Sequence, residues 1–148
     1  DFIRAAEYFE KALEFDPENA FALYGLGNCK RGLSQLEEAI ALWQRVLRQE
    51  PRNQNLYTRV GDALLTLGDV DQARFYYQKS LDIGFDQYAL LGLANAHLYQ
   101  KHHDQALKCC EQILQHDAGN QRALKTLLKV YEAQGDSARA EQIRARMT

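Results

Sequence analysis

The sequence predicts an all-α fold, a solenoid of stacked antiparallel helix hairpins, and three observations carry that prediction. An internal repeat runs the length of the chain, each period divides into two helix-length apolar patterns, and β-branched runs of strand length are missing. Ala5, Ala39, Ala73, Ala106 and Ala140 follow one another at steps of 34, 34, 33 and 34. Leu26, Val60, Leu93 and Leu127 keep the same steps, as do their neighbours Gly27, Gly61, Ala94 and Leu128. A third register runs Phe9, Trp43, Tyr77, Cys110 and Arg144. Pro17, Pro51 and Phe85 are still 34 apart, whereas Tyr57 to Leu90 is 33. The missing residue therefore falls between Phe85 and Leu90, in a turn between hairpins, where backbone packs against little.

Taken in order, a second-type helix at about 2–15 opens the chain without its hairpin partner. First helices are expected near 20–33, 54–67, 87–100 and 121–134, and second helices near 36–49, 70–83, 103–116 and 137–147. Asn19, Asn53, Asp86 and Asn120 stand where each first helix needs an N-cap acceptor. Ser34 with Glu37, and Asp69 with Gln72, have the spacing of capping boxes for second helices. Gly68 and Gly135 mark joints within hairpins. The layout is thus one repeat domain over 1–148, with a half repeat at 1–19 and repeats at 20–53, 54–86, 87–120 and 121–148. Opening on Asp1 rather than Met, the chain is expected to be a segment of a longer protein, and its localisation stays open.

Composition limits the partners. Charged residues make up 26% of 148 residues and the net charge is -2, which supplies no global field for nucleic acid or an anionic membrane. No apolar run is long enough to span a bilayer, so direct membrane insertion is not expected. Three cysteines, Cys29, Cys109 and Cys110, are too few and odd in number for a disulfide framework; they read as small buried hydrophobes.

These registers resemble those of the tetratricopeptide repeat family. Leu26-Gly27, Ala39, Trp43 and Pro51 fit its pattern, as do Val60-Gly61, Ala73 and Tyr77, and Ala5, Phe9, Ala12 and Pro17 in the opening half. Ala94 for the usual Gly, Ala118 for the usual Pro, and Leu128 and Arg144 in the last unit depart from it. The resemblance implies a right-handed superhelix whose first helices line a concave groove that binds a peptide or protein segment. The groove stripe it implies reads Phe21, Tyr24, Asn28 and Arg31; Asn55, Thr58, Arg59, Asp62 and Leu65; Tyr88, Leu91, Asn95, Leu98 and Tyr99; and Arg122, Lys125, Lys129 and Glu132. Asn28 and Asn95 can donate and accept, the tyrosines offer contact area, and Lys125 with Lys129 would meet an acidic group of the partner. The bland alternative is a solvated stripe in which Lys125 and Lys129 pair with Glu132. Some family members clamp a chaperone's terminal carboxylate with a fixed Lys/Asn/Arg set. Tyr24, Arg59, Tyr88 and Gly92 in one frame, and Thr58, Asp62, Gly92 and Thr126 in the other, break that set, so the clamp is not expected.

No catalytic residues, cofactor or metal are expected. His97, His102, His103 and His116 form no pair four apart on one helical face, and no Gly-rich phosphate loop follows a strand. Arg139, Arg144 and Arg146 are interleaved with Asp136 and Glu141, the pattern of a solvated face and not of a nucleic-acid site. Two alternatives to groove binding follow from the ends of the chain. Phe2, Ile3, Tyr8 and Phe9 belong to a helix lacking its partner, a face for homo-oligomer formation. The stack also suits the non-catalytic recognition arm of a larger enzyme.

Overall fold

The computed structural model describes residues 1–147. Nine helices lie among them: α1 (Phe2–Phe15), α2 (Ala20–Gly32), α3 (Leu36–Gln49), α4 (Gln54–Thr66), α5 (Val70–Ile83), α6 (Gln87–Tyr99), α7 (His103–His116), α8 (Gln121–Ala133) and α9 (Ser137–Arg146). No described residue is in a strand. The side chains of Asn19, Asn53, Asp86 and Asn120 each accept a backbone N–H of the first turn of α2, α4, α6 and α8, satisfying donors that helix geometry leaves orphaned.

Each hairpin turns by the same device. Ser34, Gly68, Lys101 and Gly135 all have φ between 62° and 85°. The next N–H reaches back to a carbonyl of the preceding helix, Gln35 to Lys30, Asp69 to Leu64, His102 to His97 and Asp136 to Tyr131, the Schellman closure of a left-handed residue. This corrects the capping box expected at Ser34. Ser34 holds the left-handed position that Gly68 holds one repeat later, so Gln35 becomes the N-cap of α3 and makes no side-chain cap bond. Asp69 does cap α5, accepting Gln72 N–H at 3.3 Å.

The connections between hairpins are not uniform. Residues 16–19, 50–53 and 117–120 link hairpins through four residues, whereas α5 and α6 are joined by Gly84, Phe85 and Asp86 alone. Asp86 holds this short turn from both ends of its carboxylate. Oδ1 accepts Tyr88 N–H at 2.9 Å, and Oδ2 lies 2.7 Å from the Thr58 hydroxyl and 3.2 Å from that of Ser80. Gln54 Nε2 donates to the carbonyls of Ser80 and Gly84, closing the end of α5.

In the opening half repeat and the two repeats after it, the core is built on an aromatic side chain of the second helix pressed against glycines of first helices. Phe9 lies against Gly25, Trp43 against Gly27, and Tyr77 against both Gly61 and Gly92; a Cβ at any of these glycines would collide with the ring. Trp43, Tyr77 and their successor Cys110 are fully buried. The contact pattern also fixes the sense of curvature. The backbones of the first helices α4, α6 and α8 come together in succession, while those of consecutive second helices stay apart among the described residues, α3 and α5 meeting through the side chains of Gln44 and Tyr76. First helices therefore line the inside of the curve.

Candidate functional site

The inner face is built from the exposed sides of α2, α4, α6 and α8, and its residues divide into those free to meet a partner and those spent inside the fold. On α6, Tyr88 and Tyr99 are 57% and 72% exposed at opposite ends of the helix, with Leu91 and Asn95 half-buried between them. On α8, Arg122, Lys125 and Lys129 are all exposed. Glu132, the intrahelical partner considered for the lysines, instead accepts Arg144 at 2.7 Å. Lys125 and Lys129 have no ion pair among the described residues.

On α2 and α4 the expected stripe is partly consumed. Arg59 is half-buried; its Nη1 donates to Asn28 Oδ1 at 2.7 Å and its guanidinium stands 5.4 Å from the Tyr24 ring centroid and 6.0 Å from that of Trp43. Arg59, Asn28 and Tyr24 thus form a side-chain bridge between two helices whose backbones do not touch. Thr58 is a correction: expected on the groove surface, it is buried, because its hydroxyl belongs to the Asp86 and Ser80 cluster. Arg31 is exposed, and its side chain makes no hydrogen bond or ion pair among the described residues.

Asp62 is reached from behind. The hydroxyl of fully buried Tyr77 passes between Gly61 and Gly92 and donates to Asp62 Oδ1 at 2.7 Å. Helices crowding the carboxylate push its pKa above the usual aspartate range; the Tyr77 bond and the nearby Arg31 and Arg59 pull the other way, and Asp86 adds to the rise. As a residue Asp62 is still exposed to the groove, so this is a carboxylate dehydrated on one side and open on the other. Tyr77 itself is pushed well up, by burial first and then by Asp62. Tyr24, Arg31, Asn55, Thr58, Arg59, Asp62, Asp86 and Tyr88 enclose a cleft of about 420 Å³. A second hollow of about 320 Å³ lies further along, bounded by Tyr88, Leu91, Asn120 and Arg122.

Phe2, Ile3 and Tyr8 are exposed on α1, but Phe9 is not: it is half-buried, lies against Gly25, and meets the Phe21 and Tyr8 rings edge-on. All three cysteines are buried and free, and burial pushes Cys109 up to about 11 and Cys110 up to about 12. Among the described residues no group of three or more His, Cys, Asp or Glu is placed to hold a metal, and no helix is long and apolar enough to cross a membrane. The sequence reading missed an outer-face cluster, where Tyr57, Phe75 and Tyr76 stack beside Leu47, Arg48 and Lys79 around a hollow of about 360 Å³. The exposed Phe75 was its available signal.

Repeated hairpins, small residues under a buried aromatic, and an inner face made of alternate helices define a helical-repeat solenoid. The chain belongs to the tetratricopeptide repeat family: models described as "Tetratricopeptide repeat" match residues 1–19, 18–84 and 97–148. It is 30% identical over 128 residues to human Tetratricopeptide repeat protein 21B, covering 79% of this chain and 10% of that protein. It is also 30% identical over 103 residues to Heat shock protein STI1 of Saccharomyces cerevisiae, covering 68% of this chain and 18% of that one. The chain thus spans under a fifth of the length of these relatives. Among solved structures it superposes on MamA with a TM-score of 0.92 at 21% identity, covering 99% of this chain and 86% of that one. On YrrB, described as a TPR protein with an unusual peptide-binding site, the TM-score is 0.85 at 24% identity, covering 98% and 75%. Both likenesses concern the fold.

Proposed function

We propose that the chain is a protein-interaction scaffold that holds an extended segment of a partner protein along the inner face of α2, α4, α6 and α8. One observation carries the reading. The inner face presents Tyr88, Tyr99, Lys125 and Lys129 together, large aromatic rings and ammonium groups that the fold leaves without hydrogen bonds or ion pairs. Aromatic side chains that bring contact area at low entropic cost dominate binding surfaces, and unpaired lysines suit an acidic group on the partner. The peptide-binding site for which YrrB is named lends support by analogy of fold. The test is photo-crosslinking to partner from a benzoylphenylalanine placed at Tyr99, on the inner face, or at Phe75, on the outer. The reading expects adducts from Tyr99; adducts from Phe75 alone would move the site to the outer aromatic cluster.

A second reading rests on α1. Ala5, Phe9 and Ala12 are half-buried, whereas their counterparts Ala39, Trp43 and Val46 are at most 1% exposed because a first helix covers them. A second copy supplying that cover would make the chain a homo-oligomer through Phe2, Ile3, Tyr8 and Phe9. A monomeric mass by light scattering over a hundredfold range of concentration removes this reading.

A further inference from the structure

Asn28, Asp62, Asn95 and Lys129 occupy one position of four successive first helices, at steps of 34, 33 and 34. They form a ladder across the inner face, and each rung has a defined hydrogen-bonding capacity left over. Asn28 has given one acceptor site of its carbonyl oxygen to Arg59, which leaves both NH2 donors and a second lone pair. Among the described residues Asp62 has received one donor, Tyr77, on Oδ1; Oδ2 has none, and no cation forms an ion pair with the carboxylate. Among the described residues the Asn95 amide keeps both donor and acceptor, and the Lys129 ammonium has no partner.

The Asp62 rung is the demanding one. Arg59 donates to Asn28 and stands over Tyr24, and Arg31 lines the same cleft; neither makes an ion pair with Asp62 among the described residues, and both act on the carboxylate through their field alone. The cleft in front of Asp62 is bounded by Tyr88, whose exposed ring offers a π face. A carboxylate oxygen and an aromatic ring lining one cleft suit a cationic side chain, which can gain an ion pair and a cation–π contact in one place. At the other end Lys125 and Lys129, with Arg122 one turn earlier, ask for an anion. Between them α6 carries no acidic or basic side chain other than His97.

We propose that the groove holds its partner in one charge register: a lysine or arginine of the partner seats on Asp62 against Tyr88, and an acidic side chain about six residues away meets Lys125 and Lys129. The spacing follows from geometry, since α4, α6 and α8 touch in succession. Two interhelical steps of about 8–10 Å are spanned by about six residues of extended chain at about 3.3 Å each. This rests on the groove reading and adds to it a partner chemistry, with opposite charges at its two ends and an apolar or amide-bearing middle.

The test is selection of binders from a random 12-residue peptide display library on the chain, followed by fluorescence polarisation with the selected peptides. The expected result is a shared basic residue with an acidic residue five to seven positions away. Asp62→Asn, which keeps an acceptor for Tyr77, should weaken these peptides about tenfold without lowering the melting temperature. Asp62→Lys should recover binding when the peptide's basic residue is changed to Glu. Peptides that lose affinity with Asn95→Arg and Tyr99→Ala but ignore Asp62→Asn overturn the charge register and leave the groove standing. Peptides indifferent to all of these bind elsewhere, and then the groove reading falls with it.

Discussion

Trp43 and Tyr77 hold the same position in successive repeats, yet the junctions around them close in different ways. At the second junction Tyr77 is flanked by Gly61 and Gly92, α4 and α6 touch, and the linking turn is one residue shorter. The phenol spans the wall and finds Asp62 as its acceptor. At the first junction the counterpart of Gly92 is Arg59. Its side chain stands over Trp43, α2 and α4 stay apart, and Asn28, the counterpart of Asp62, gives its oxygen to Arg59. Trp43 Nε1 is then left without a hydrogen-bond partner. Arg59 stands where the second junction has glycine, and there the neighbouring repeats meet through a polar bridge and not through backbone.

The comparison is broken most decisively by emptying each junction. Tyr77→Ala and Trp43→Ala should each cost about 3–5 kcal/mol, the range for removing a buried aromatic. Tyr77→Ala should lie at the upper end although its ring is smaller, because glycine backbone surrounds the void and no side chain can fall into it. Arg59 can collapse onto the space left by Trp43. Urea unfolding midpoints with unchanged slope measure both; a larger loss for Trp43→Ala would mean the junctions close alike.

Overfilling comes next. Gly92→Ala places a methyl group into the buried Tyr77 ring, at a cost of about 1–3 kcal/mol. Gly92→Ala with Tyr77→Leu should cost less than the two changes added, since the second removes the collision. Strict additivity in the unfolding free energies would contradict the packing described.

Arg59→Ala should have a milder effect, about 1–2 kcal/mol, from a charged hydrogen bond and a cation–π contact at a half-buried site. Its signature is local. Amide exchange should quicken in α2 while α6 and α8 keep their protection, and uniform loosening of all four helices would show that Arg59 bridges nothing in particular.

The repeat and its caps were readable because they depend on neighbours in sequence. Asn19, Asn53, Asp86 and Asn120 are each bonded to a residue two or three positions on. The turn at Ser34 was misread because a left-handed residue is expected to be glycine, and two of the four hairpins use Ser34 and Lys101 instead. The family resemblance pointed to an inner face, but could not tell which of its residues were already engaged. Thr58 is taken by Ser80 and Asp86, 22 and 28 residues away, and Asn28 by Arg59, 31 residues away. Such pairings form across the stack and leave no local pattern. The link from Tyr77 to Asp62 is hidden for the same reason, since it depends on two glycines in different helices opening one path.

That link gives the smallest and most selective test. Because its folded pKa is raised, Asp62 favours folding most below the ordinary aspartate pKa, and this contribution disappears as pH rises through the raised value. At neutral pH the charge is therefore a cost relative to a neutral side chain of the same shape. Asp62→Asn keeps an oxygen for the Tyr77 hydroxyl and removes the charge, so stability at pH 7 should rise by about 0.5 kcal/mol, the scale of single surface changes. The gain should shrink as the buffer is taken down toward the ordinary aspartate range, where wild type and variant converge. Melting curves at matched ionic strength across that interval read the effect directly. If the difference instead widened on acidification, Asp62 would be a carboxylate stabilised by Arg31 and Arg59, and the polar ends of Tyr77 and Trp43 would differ less than their surroundings suggest.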